Sequence, residues 1–177
     1  GLTRLNTTFG TGAADGITVS GLAAGVPVYV TSGVTLDALT LSLDSATGSE
    51  DALSVVVVAN AGTIDLNAAG VETLNLTTGG AGGTIDLAGV APTTGSATTV
   101  NISGAAAFTL NAINTGINNI NGSAMSGALD VSAGQRDADA ITITGGAASD
   151  TIAMENAADV LSGGNQAVAG ADKLVVN

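Results

Sequence analysis

Fifteen carboxylates and three cations carry all the ionic chemistry of this 177-residue chain, which contains no His and no Cys. Imidazole acid–base catalysis, the usual zinc sites and a disulfide framework are thereby excluded. What remains is oxygen chemistry, and the aspartates supply it in a recurring arrangement. A glycine is followed by one to three residues, then Asp, then alternating apolar residues. The pattern occurs in GAADGITV (Asp15), GSEDALSV (Asp51), GQRDADAITI (Asp137 and Asp139), GGAASDTIAM (Asp150) and GADKLVV (Asp172).

Calcium takes six to eight oxygens from carboxylates, backbone carbonyls and water. A glycine-rich turn offers free carbonyls and the aspartate offers charge, so each of these loops is a candidate metal site. In order of promise the candidate ligands are Asp150, Asp139, Asp137, Asp172, Asp51 and Asp15. The pairs Glu50–Asp51 and Asp137–Asp139 strengthen the case, because adjacent carboxylates favour a cation between them. The competing reading is structural, since Asp after Gly is an ordinary turn residue whose side chain bonds nearby backbone. Asp65, Asp86, Asp44 and Glu72 read as solvent-facing positions on or beside strands.

The elements that would carry these loops are short strands. In residues 1–60 the segments DGITVSGL, VPVYVTSG, LTLSLDSA and LSVVVVAN alternate, or form β-branched runs bounded by turn residues. Their spacing is irregular, which suggests an N-terminal β-unit distinct from residues 61–177. Beyond it TIDL, TLNL, TIDL, TVNI and TLNA recur, followed by strands around Ile120 and Leu129. Taking Ile64, Leu74, Ile85, Val100, Leu110, Ile120 and Leu129 as equivalent gives gaps of 10, 11, 15, 10, 10 and 9. Two such units make one coil with a strand on each face. The expected fold is therefore all-β, a β-solenoid or β-roll-like stack of short strands. The alternative is a β-sandwich, whose strands recur at similar spacing. Similarity of residue type between units favours stacking, which places like over like.

Composition agrees with a thin repeated core: hydrophobic residues make up 45% and aromatics only 2%. No apolar run approaches the roughly 20 residues of a spanning helix, so membrane insertion is not expected. A net charge of −12 makes nucleic acid a poor partner. The opening GLTRLNTTFG lacks the charged and apolar regions of a signal peptide and starts without Met, as a piece of a longer protein would.

Gly145, Gly146, Asp150 and Ile152 fall in register with the nonapeptide Gly-Gly-x-Gly-x-Asp-x-U-x, with Ala148 at the third glycine. Gly170, Asp172 and Leu174 match it near the C-terminus, where Ala167 and Val168 replace the first glycines. With GVETLNL (Gly70–Leu76) and its Thr/Asn ladder, residues 62–177 resemble the β-solenoid stretches of RTX-type bacterial surface-layer proteins and large secreted adhesins. The resemblance implies type I secretion, Ca2+ binding and an extracellular or cell-surface role as part of a lattice or filament. Uninterrupted tandem nonapeptides are lacking, so it implies scattered calcium sites rather than one in every turn. At about 1 mM calcium and a Kd near 10⁻⁴–10⁻³ M, each site would add roughly 0.4–1.4 kcal/mol.

The leading expectation is a structural protein whose partners are copies of itself, as an oligomer, lattice or filament. The alternative is an adhesin or ligand-binding module contacting cell-surface polysaccharide. Three aromatic residues are few for a sugar platform, and unequal gaps disfavour a regular Thr row of the kind that binds ice. An enzyme is not expected, because Ser and Thr are plentiful but no base accompanies them.

Overall fold

Strict inward–outward alternation dominates the chain, as in TIDLNAA, whose burial alternates residue by residue from Thr63 to Ala69. Such a pattern makes a strand with one apolar face, and the described residues form sixteen strands in all. The computed structural model describes residues 2–9, 16–32, 36–60, 62–133, 139–165 and 171–176. One set of strands comprises β1 (Leu5–Thr8), β3 (Pro27–Ser32), β5 (Ala52–Asn60), β7 (Thr73–Thr78), β9 (Thr98–Gly104), β11 (Ile117–Met125), β13 (Thr142–Thr144) and β15 (Val160–Ser162). The other comprises β2 (Gly16–Leu22), β4 (Leu36–Leu43), β6 (Thr63–Ala69), β8 (Gly83–Ala91), β10 (Phe108–Asn111), β12 (Leu129–Ala133), β14 (Thr151–Met154) and β16 (Lys173–Val176).

Odd strands pair only with odd and even with even, giving two parallel eight-stranded sheets in sequence order. The chain is a β-solenoid of about seven turns, each turn laying one strand on each face. The described residues contain no helix, and so none long and apolar enough to cross a membrane. Strands β1–β5 of the N-terminal part belong to the same two ladders as the rest.

The core is a pair of aliphatic columns. Leu53, Leu74, Val100, Ile120 and Ile143 stack in register on the odd side. Ile64, Ile85 and Leu110 stack on the even side. These eight are at most 2% exposed, and Phe9 and Phe108 are the only aromatic members of the described core. The sequence equivalence therefore holds for six of its seven positions. Leu129 instead stands beside Phe108, two residues before Leu110. Coil length varies freely: 27 residues separate Val28 from its partner Val55, and 18 separate Ile143 from Leu161. Turns between strands and register shifts within five of the strand pairings absorb the difference.

Candidate functional site

The acids have a simple placement rule. Asp51, Glu72, Asp150, Asp159 and Asp172 each occupy the residue immediately before a strand, namely β5, β7, β14, β15 and β16. There the chain turns a corner of the coil, and backbone N–H groups at the corner need acceptors once the ladder stops. The carboxylates supply them.

Asp150 is the most complete case. Its Oδ1 accepts the N–H of Leu129, one coil earlier, at 2.7 Å, and its Oδ2 accepts the N–H of Gly146 at 2.7 Å. The side chain is 1% exposed. Its own N–H donates to Oδ1 of Asp172 on the following coil at 2.9 Å, and its carbonyl accepts from Lys173 N–H. Leu129, Asp150 and Asp172 thus form a vertical chain in which each carboxylate reaches back one coil.

The opposite corner repeats the device. Glu72 Oε2 accepts the N–H of Asp51 at 3.1 Å and Oε1 accepts that of Thr93 at 2.8 Å. Asp159 is buried and accepts N–H groups from Ile141, Glu155 and Asn156. Burial raises the Glu72 carboxyl, but the N–H bonds from Thr93 and Asp51 outweigh it and hold the group below its ordinary value.

The six aspartates singled out from sequence separate accordingly. Asp150 and Asp172 are brought together on successive coils at one corner. Asp51 lies at the other corner, half-buried, with Oδ2 accepting Gly48 N–H within its own turn. Asp139 is exposed just ahead of β13. Asp137 and Asp15 lie outside the described residues. Among the described residues no three acidic side chains gather into one group.

Two acids that cap were not among those six. Glu72 reads from sequence as solvent-facing; it is 7% exposed and bridges coils, because its carboxylate folds back under the Asp51 turn. Asp159, in NAADVLS, lacks the preceding glycine that marked the others. Its position directly before an apolar strand is the signal that would have found it. Asp65 and Asp86 do stand outward on adjacent strands, and Asp44 is exposed.

Several glycines at this corner have a steric cause. A methyl on Gly145 would run into Asp150 Oδ2 and lie 2.6 Å from the Gly163 carbonyl, and one on Gly163 would run into Asp172 Oδ2. A methyl on Gly164 would meet the carbonyls of Gly145 and Gly146. Two carboxylates and several carbonyls therefore crowd one glycine-lined corner. This is the all-oxygen donor type a hard cation takes, and each carboxylate oxygen bonded to one N–H keeps a second lone pair.

The two faces differ in charge. No charged residue occurs in any odd-numbered strand, whereas Asp37, Asp65, Asp86, Asp130 and Lys173 are on even ones. The odd face carries polar rows in register. Thr73, Thr99, Asn119 and Thr142 make one, and Ser54, Asn75, Asn101, Asn121 and Thr144 another. Asn101 Nδ2 donates to Asn75 Oδ1 at 3.1 Å, and the Thr77 and Ser103 hydroxyls lie 3.2 Å apart. These rows mix Thr with Asn and Ser rather than forming a Thr-only row.

No family model, no curated protein and no solved structure matches this chain.

Proposed function

We propose that the chain is a structural module that works outside the cell by associating with copies of itself into a surface layer, matrix or filament. The observation that best supports this reading is the pair of parallel ladders running unbroken through every described coil, with buried carboxylates joining coil to coil at the corners. Eight strands at about 4.8 Å spacing make a rod about 34 Å long. Nearest-neighbour coil contacts of this kind suit length and stiffness.

Electron microscopy of concentrated protein tests the reading. Rods, ribbons or sheets many times the length of one chain are expected, and isolated short particles at every concentration would refute it.

A second reading concerns calcium and rests on the Asp150–Asp172 corner. We propose that a calcium ion held there by both carboxylates and the neighbouring glycine carbonyls would clamp the last coils together. Thermal unfolding in EDTA and in millimolar calcium tests it: a calcium-dependent rise is expected, and coincident curves would remove calcium from the description.

A further inference from the structure

We infer that the outward face of the odd-strand sheet is the surface through which one copy packs laterally against the same face of a second copy. This rests on the reading of the chain as self-associating and names where that association happens.

Charge is the first argument. Two molecules of net charge −12 repel, and the approach that costs least is the one that brings no carboxylate into the contact. The odd strands offer it, since all eight are free of charged residues. On the even face Asp65 and Asp86 stand side by side on adjacent strands, so two even faces would oppose carboxylates.

Preorganisation is the second. Asn75 and Asn101 are joined by a side-chain hydrogen bond, and Thr77 and Ser103 lie within hydrogen-bonding distance. Asn121 Nδ2 reaches Asn101 Oδ1 at 3.5 Å. Side chains already held by their neighbours lose little freedom on contact, which removes one of the main costs of association. The amides and hydroxyls that remain outward are both donors and acceptors, so the face is complementary to itself. A two-fold pair of identical faces uses that property directly.

Area is the third. The face spans about 34 Å along the axis and about 16 Å across, roughly 500 Å² on each copy. A pair then buries about 1,000 Å², at the lower limit of specific interfaces. The expected contact is reversible and promoted by salt, because screening weakens the repulsion between the flanking acids.

Sedimentation velocity over a concentration series tests this with three proteins. They are the wild type, the double variant Asn101→Asp with Asn121→Asp on the odd face, and Thr40→Asp on the even face. Circular dichroism establishes that all three keep the β fold. The wild type and Thr40→Asp should pair with the same affinity, and the double variant at least about tenfold more weakly, as expected for opposed like charges. Equal pairing by all three, or equal weakening by both variants, would overturn the face while leaving self-association standing. A wild type that stays monomeric throughout would overturn both. Retention of a monomeric wild type on a neutral polysaccharide would assign the face to that polymer instead of a second copy.

Discussion

Asp150 Oδ1 lies 2.7 Å from the backbone nitrogen of Leu129, one coil earlier in the stack. With Oδ2 holding Gly146 N–H, one buried carboxylate ties the start of β12 to the turn before β14. Replacing Asp150 by Ala would leave two buried N–H groups without acceptors. At about 1–3 kcal/mol each, the expected loss is about 2–6 kcal/mol in urea unfolding. A loss within experimental error would show that the corner closes without its cap.

Glycine at the same corner is required by space. Gly145→Ala drives a methyl into Asp150 Oδ2, whereas Gly80→Ala meets nothing within 4 Å and sits at an ordinary φ. Gly145→Ala should therefore destabilise by about 1–3 kcal/mol, and Gly80→Ala should be neutral within about 0.5 kcal/mol. Paired denaturant titrations give the comparison.

Glu72 sets a pH dependence. Its carboxyl is held below the ordinary glutamate value of about 4.3, so the folded state prefers the ionised form. That contribution is complete above the unfolded value and is lost as pH falls through the folded one. Thermal unfolding between neutral pH and about pH 3 should show wild-type stability falling in this window. Glu72→Gln, less stable at neutral pH, should show a shallower fall.

The calcium ion proposed for the glycine-lined corner makes a separable prediction. Asp172 is exposed, so Asp172→Asn should alter stability in EDTA less than Asp150→Ala does. It should nevertheless abolish the calcium-dependent increment, roughly 0.4–1.4 kcal/mol at about 1 mM calcium. An increment that survives Asp172→Asn would place the ion elsewhere.

Much of the fold is legible in the residues because a solenoid is local in period. TIDL, TLNL and TVNI declare their inward positions, and stacking only has to put like over like. The register of Leu129 is not legible: β11 is bulged between Asn121 and Ala124, and the β10–β12 pairing itself shifts between Thr109 and Asn111. At the corners, Asp before an apolar run identifies Asp150, Asp172 and Asp51. It does not say what the carboxylates of Asp150 and Asp172 touch, because each has a partner about one coil away in sequence. Leu129 is 21 residues from Asp150, and Asp150 is 22 from Asp172. Glu72 escapes for the same reason, and Asp159 for lack of a glycine. That the odd strands carry no charged residue of their own appears only when alternate strands are sorted into two sheets.

Sedimentation velocity of the intact chain, from about 1 μM to about 1 mM, is the most direct test of the structural role. It should be run at about 0.15 M and about 1 M salt, where the Debye lengths are about 8 and 3 Å. The expected result is a sedimentation coefficient that rises with concentration and rises further at high salt. A single monomeric species under all these conditions would contradict the proposal that the solenoid's partner is another copy of itself.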